Sequence, residues 1–209
     1  MVELYWAEIS AVDERGVGYP LSQYRAEKLE RLRPPAARRR CIGAELLLIR
    51  ALQLHGAEPS LPLTISCDQN GKPEWVNGSC RFNLSHSGNY AACVLSDDPV
   101  GVDIQILTPW RPAVVDCCFS PEEQRYLHTC ENRDAGFSEL WCRKESFLKA
   151  TGLGLRLPLN SFSCVPGEER AEYGGIRYAI CSLRFPSFYA AVCCPEGKSE
   201  ELTVRELHI

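Results

Sequence analysis

Several familiar signatures are missing from this sequence. It holds twelve cysteines, yet nowhere does it contain Cys-x-x-Cys, so the usual spacing of a zinc clip is absent. The adjacent pairs Cys117-Cys118 and Cys193-Cys194 have the wrong geometry for one. No apolar run approaches ~18 residues, which argues against a spanning helix. The first ten residues, MVELYWAEIS, show no basic leader followed by an apolar core. The expectation is a protein that is not exported, stays off the membrane and keeps its cysteines as reduced core thiols in a reducing cytoplasm. There is no basic excess either: the formal net charge is −4. That argues against nucleic acid as the main partner. No aspartate stands at an obvious triad spacing from Ser85-His86, so hydrolase chemistry has little support.

What is present is an ordinary globular composition, 45% hydrophobic and 24% charged over 209 residues. Residues 2–10 read as a strand. Residues 21–32 read as a helix with Ser22 as N-cap, broken by Pro34-Pro35. A stronger helix runs from about Ala36 to Leu54 and stops at His55-Gly56. Asn70-Gly71 is a turn between two short extended pieces. Strands follow at 80–88, 89–96 and 100–107. In the second half, Ser120-Pro121-Glu122-Glu123 is a capping box. A helix runs from about Phe137 to Thr151, closed by Gly152, and extended segments fall at 161–165, 176–183 and 188–194. Helices first and strands later in each half point to α+β. NYAACVL at 89–95 echoes FYAAVCC at 188–194, which suggests a duplicated α/β unit with a boundary near 97–112. A site between two such subdomains is a common place for a ligand.

The stretch VGVDIQ, 100–105, alternates at period two. Val100, Val102 and Ile104 take one side; Gly101, Asp103 and Gln105 take the other. This predicts a strand with one buried and one wet face. On the helix LWCRKESFLKATG, Glu145 and Lys149 are neighbours one turn apart. Taken alone they read as a surface ion pair. Facing Asp103, Glu145 would complete a hard-oxygen site suited to Mg²⁺, with Lys149 beside it to offset phosphate charge. From Arg25 to Arg40, seven cations stand against two acids, a local +5, so the remaining residues total −9. Such a concentration of arginine favours a specific anionic partner, phosphate above all.

Five stretches now line up in order: GKP (71–73), FNLSHS (82–87), VGVDIQ (100–105), FSPEE (119–123) and LWCRKESFLKATG (140–152). In these the chain resembles 4′-phosphopantetheinyl transferases of the long, two-subdomain type that act on peptidyl and acyl carrier proteins. The resemblance implies a monomer of two similar α/β subdomains, 1–102 and 103–209, related by a pseudo-twofold with the active site in the cleft. It implies coenzyme A as co-substrate and Mg²⁺ as metal. It implies metal ligation by Asp103 and Glu145, with Gln105 standing where the family commonly has a second acid. Lys149 would contact the phosphates. Ser85 and His86 would lie near the 3′-phosphate of coenzyme A, Lys72 near the nucleotide, and Lys28 and Arg39 at the family's basic positions. Glu123 matches a family acid near the site, and its capping role explains it equally well. Two other classes fit the same residues: a Mg²⁺-dependent phosphohydrolase, and a non-catalytic module that binds coenzyme A or carrier proteins.

Overall fold

The computed structural model describes residues 1–13, 15, 20–168, 170–197 and 202–209. The chain is a mixed α/β protein built in layers. Strand β1 (Val2–Glu8) is followed by helices α1 (Gln23–Arg31) and α2 (Pro35–Leu54), then by a small hairpin of β2 (Ile65–Cys67) and β3 (Pro73–Trp75). Strands β4 (Arg81–Ser87), β5 (Tyr90–Ser96) and β6 (Gly101–Ile106) come next. Helices α3 (Pro112–Cys118), α4 (Pro121–Thr129) and α5 (Arg133–Thr151) lead to β7 (Arg170–Tyr173), β8 (Ile176–Arg184), β9 (Phe188–Pro195) and β10 (Leu202–Glu206). One sheet has the order β10-β1-β5-β4, the other β6-β9-β8-β7. Each half therefore runs strand, helices, then an antiparallel pair. A cut after residue 102 does not follow the sheets. Gly101 and Val102 already belong to the second sheet, and β10 returns to pair in parallel with β1.

Strand alternation decides the layering. On β5, Ala91, Cys93 and Leu95 face α2, while Ala92 and Val94 face the second sheet. On β9, Tyr189, Ala191 and Cys193 face α5, while Phe188, Ala190, Val192 and Cys194 face the first sheet. Central strands are thus covered on both faces and read as continuous apolar runs. The same holds for β6, which corrects one expectation. Its Val100, Val102 and Ile104 side joins the inter-sheet core, but the Gly101-Asp103 side is not wet; it lies under α5.

Sequence signals place most helix ends. Ser120 and Glu123 form the expected capping box, with Pro121 in the first turn. Gly152 ends α5 at φ +72°, a left-handed position that suits glycine. Helix α5 begins earlier than residue 137, because the Asn132 side chain accepts from the Ala135 amide and caps it at Arg133. No strand forms over 161–165. That backbone bonds to side chains instead: Arg143 donates to the carbonyls of Cys164 and Val165, and the Cys164 amide donates to Glu123. Helix α3 and strands β7 and β10 lay outside the expected elements. All twelve cysteines are free; seven are buried, while Cys67 and Cys117 are exposed.

Candidate functional site

The site starts from the contact of β6 with α5. Gly101 has no side chain, and α5 packs so closely that a Cβ there would lie 2.1 Å from the Ser146 carbonyl oxygen and 2.4 Å from the Ala150 amide nitrogen. This close approach sets Asp103 on the strand against Glu145 and Lys149 on the helix. Lys149 Nζ lies 2.7 Å from Asp103 Oδ1 and also donates to the Val102 carbonyl at 3.0 Å. Lys72 locks the same junction from outside. Its ammonium donates to the Lys149 carbonyl at 2.6 Å and the Val100 carbonyl at 3.0 Å, one at the end of α5 and one at the start of β6. Burial holds the Lys72 amine down to about 8.

Strand β4 supplies the other wall. It does not share a backbone ladder with β6. Its alternate side chains do that work: Asn83 Oδ1, Ser85 Oγ and Ser87 Oγ accept from the amides of Val102, Ile104 and Ile106. Ser85 Oγ also donates to Asp103 Oδ1 at 2.6 Å. The Ser85 and Ser87 hydroxyls therefore face β6. His86, between them, points the other way and lines the cavity.

That cavity has a volume of about 510 Å³. Asp103, Glu145 and Lys149 stand on one side of it. Arg25, Lys28 and Tyr24 of α1 stand on another, with the Asn70-Gly71 turn and Lys72 closing it. Burial pushes the Glu145 carboxyl up, the Asp103 charge pushes it further, and Lys149 opposes. Among the described residues Glu145 makes no hydrogen bond or ion pair. Desolvation lowers His86, a backbone hydrogen bond opposes that, and the charges of Arg40, Lys149 and Arg25 lower it further. Arg25 is buried, and Glu45 beneath it takes its Nε at 3.4 Å. Glu45 also accepts from the Ser22 amide at 2.5 Å and the Ser22 hydroxyl at 2.7 Å.

Of the residues singled out from the sequence, Lys28, Lys72, Ser85, His86, Asp103, Glu145 and Lys149 line this one cavity. Three others lie elsewhere. Arg39 donates to the Val12 carbonyl and is not in the lining; Arg40, one helical step on, is the arginine whose charge reaches His86. Gln105 donates to Thr108 Oγ1 at 2.8 Å and lines a separate hollow with Ser87, Arg111 and Trp141. Glu123 is fully buried, capped onto Ser120, and holds Lys144 Nζ at 2.6 and 2.8 Å. Arg25, Arg40 and Glu45 were not singled out; only their place in the arginine-rich segment hinted at the first two.

Among the described residues no three His, Cys, Asp or Glu side chains gather as a ready-made metal cluster. The donor set that does exist is two carboxylates, one of them, Glu145, without a hydrogen bond, beside open volume. It suits a hard cation such as Mg²⁺, which keeps several waters and takes only one or two protein carboxylates.

Comparison with known proteins bears on the same residues. The family described as the 4′-phosphopantetheinyl transferase superfamily matches residues 99–193, a span that contains β6 and α5. A 4′-phosphopantetheinyl transferase of Bacillus subtilis is 34% identical over 161 residues, 74% of this chain and 70% of that protein. The 4′-phosphopantetheinyl transferase psf-1 of Bacillus pumilus is 34% identical over 143 residues, 67% of this chain and 61% of that protein. A putative 4′-phosphopantetheinyl transferase, slr0495, of Synechocystis sp. is 36% identical over 164 residues, 73% of this chain and 65% of that protein.

Proposed function

The chain belongs to the 4′-phosphopantetheinyl transferase superfamily, and on that premise we propose that it moves the phosphopantetheine arm of coenzyme A onto a serine hydroxyl of an apo carrier protein. The second product is adenosine 3′,5′-bisphosphate. One observation carries the reading. Two carboxylates and a lysine stand at one side of a cavity whose other side holds Arg25, Lys28 and His86. Such a cavity suits a ligand with a pyrophosphate at one end and a further phosphate at the other.

Each side chain then has a task. Lys149 neutralises charge on the pyrophosphate as its P–O bond breaks. Glu145, raised and free of hydrogen bonds, takes the serine proton at its carboxylate, directly or through one water. Ser85 and Lys149 fix Asp103 through the same oxygen, Oδ1. Arg25, Lys28, Arg40 and His86 bind the nucleotide end, and that remote binding energy positions the reacting phosphate. Mg²⁺, held by Asp103 and Glu145, would supply charge withdrawal at the pyrophosphate oxygens. The repeated order of elements in the two halves supports two subdomains related by a pseudo-twofold. We extend the reading to a cytoplasmic monomer.

The test is mass spectrometry of an apo carrier protein after incubation with coenzyme A, Mg²⁺ and this protein. A gain of the phosphopantetheine mass is the expected result. No gain across acyl and peptidyl carrier types would refute it.

A further inference from the structure

Helix α3 ends on two thiols that the transfer reaction does not use. Cys117 and Cys118 have their sulfurs 3.0 Å apart. Cys117 is exposed and Cys118 half-buried. The other adjacent pair behaves differently. On β9, alternation sends Cys193 toward α5 and Cys194 into the inter-sheet core, so their sulfurs lie on opposite faces. Only the helical pair can meet.

We propose that Cys117 and Cys118 are a reversible modification site, a vicinal dithiol that a low-molecular-weight disulfide such as oxidised glutathione converts to a ring disulfide. The exposed Cys117 thiolate attacks one sulfur of the small disulfide and expels one small thiol. The Cys118 thiolate then attacks the Cys117 sulfur of the mixed disulfide and expels the second. Two protein thiols are oxidised, one disulfide is reduced, and both protons leave on the released thiols. Burial first, and then the hydrogen bond and charge of Cys117, raise the Cys118 thiol to about 11. Capping Cys117 removes those two contributions, so the first step prepares the second.

The position on the helix favours closure and reversal. Cys118 is the last residue of α3, and Phe119 after it is extended at ψ 141°. The chain can therefore adjust on one side of the ring. Neighbouring Cα atoms are only ~3.8 Å apart, below the relaxed span of about 4.4–6.8 Å for a disulfide. A ring closed there is strained and easily reduced, which makes it a switch and not a staple.

Closure reaches the site through packing. The ring must alter the last turn of α3, where Cys117 Sγ donates to the Val114 carbonyl and the Phe119 amide to Val115. Phe119 is buried, with its ring centroid 5.6 Å from Phe137 and 6.1 Å from Trp141. Both of those lie on α5, and Trp141 is one turn before Glu145. Oxidation should thus shift the helix that carries the proton acceptor.

The full chain is incubated with oxidised glutathione, the remaining thiols are alkylated, and the peptides are weighed. The peptide with residues 117 and 118 should lose two hydrogens, resist alkylation and carry no glutathione. Cys118→Ser should instead keep a glutathione adduct on Cys117. A stable adduct on Cys117 in the unaltered chain, alkylation of both thiols, or the two-hydrogen loss mapping to other cysteines would overturn the site. The link to catalysis rests on the proposed transferase reading; the mass measurement does not. Oxidised protein should transfer on the order of tenfold more slowly, a dithiol reductant should restore it, and the Cys117→Ser/Cys118→Ser variant should be insensitive. Ring formation with unchanged transfer would remove the coupling and leave the modification site standing.

Discussion

Gly101 and Ser146 touch backbone to backbone across the interface of β6 and α5. A Cβ at position 101 would stand 2.1 Å from the Ser146 carbonyl oxygen, and neither partner is a flexible side-chain tip that could swing aside. Gly101→Ala must therefore push the strand and helix apart and separate Asp103 from Glu145. A displacement of ~1 Å costs about a hundredfold in rate. We expect that loss in kcat with the circular dichroism spectrum retained. Wild-type kcat in Gly101→Ala would show that the close approach does not set the site.

Glu145→Gln keeps the shape of the side chain and removes its basicity. Transfer should fall by about 10²–10⁴. In metal-free protein at neutral pH the same change should raise the melting temperature, because it removes a desolvated charge next to Asp103. Added Mg²⁺ should stabilise the unaltered chain more than the variant. A variant that melts lower than the unaltered chain without metal would contradict this.

His86 gives a pH dependence with a definite sign. Its folded value lies below the ordinary 6.5, from burial first and then from Arg40, Lys149 and Arg25. The folded chain then binds fewer protons than the unfolded chain just below that pH. The His86 contribution to stability is present above it and is lost as pH falls through the folded value. The denaturant midpoint of His86→Gln should match that of the unaltered chain at about pH 8 and exceed it at about pH 5. Adenosine 3′,5′-bisphosphate should raise the His86 titration seen by NMR, and so bind more tightly as pH falls. An unmoved titration would place the anion elsewhere.

Glu123 and Lys144 are both fully buried and 2.6 Å apart. Burial holds the carboxyl above its ordinary range, and the ammonium with the Ser120 and Cys164 amides opposes that rise. Glu123→Ala leaves Lys144 uncompensated and should cost about 3–5 kcal/mol in a urea melt. Glu123→Ala with Lys144→Met should recover part of that. The folded double variant should still transfer; its inactivity would return Glu123 to the catalytic site.

Gln105 gives the fifth test. Its amide is held by Thr108, outside the cavity that contains Asp103. Gln105→Ala should leave the Mg²⁺ half-saturation of transfer unchanged, and a clear weakening would bring Gln105 back to the metal.

Much of the site was legible because it sits on signals that residue type and spacing carry. Asp103 interrupts an apolar strand, Glu145 and Lys149 share a helical face, and the Ser120 capping box fixes α4. Other features depend on rotation and on distant partners. Arg38, Arg39 and Arg40 are equivalent in sequence, and about 100° of helix per residue decides which one meets His86. Period two puts Gln105 on the side of Asp103, but β6 ends at Ile106 and the amide finds Thr108. Strand β10 is half exposed, and its partner β1 lies at the far end of the chain, so no local pattern announces it. The segment 161–165 reads as a strand, but it begins on the last residue of a short 3-10 turn, and the hydrogen bonds that follow go to Arg143 and Glu123, which no ladder pattern reveals.

The three side chains of β4 that hold β6 have one more consequence. Strands β4 and β6 are each the last strand of their sheet. Separated, each would offer a bare row of amides to any passing chain, the usual start of aggregation. Asn83, Ser85 and Ser87 satisfy alternate amides of the β6 row and lay β4 along it without merging the sheets. The seam that aims Asp103 into the cavity is therefore also the seal that keeps the open edge of β6 from being sticky.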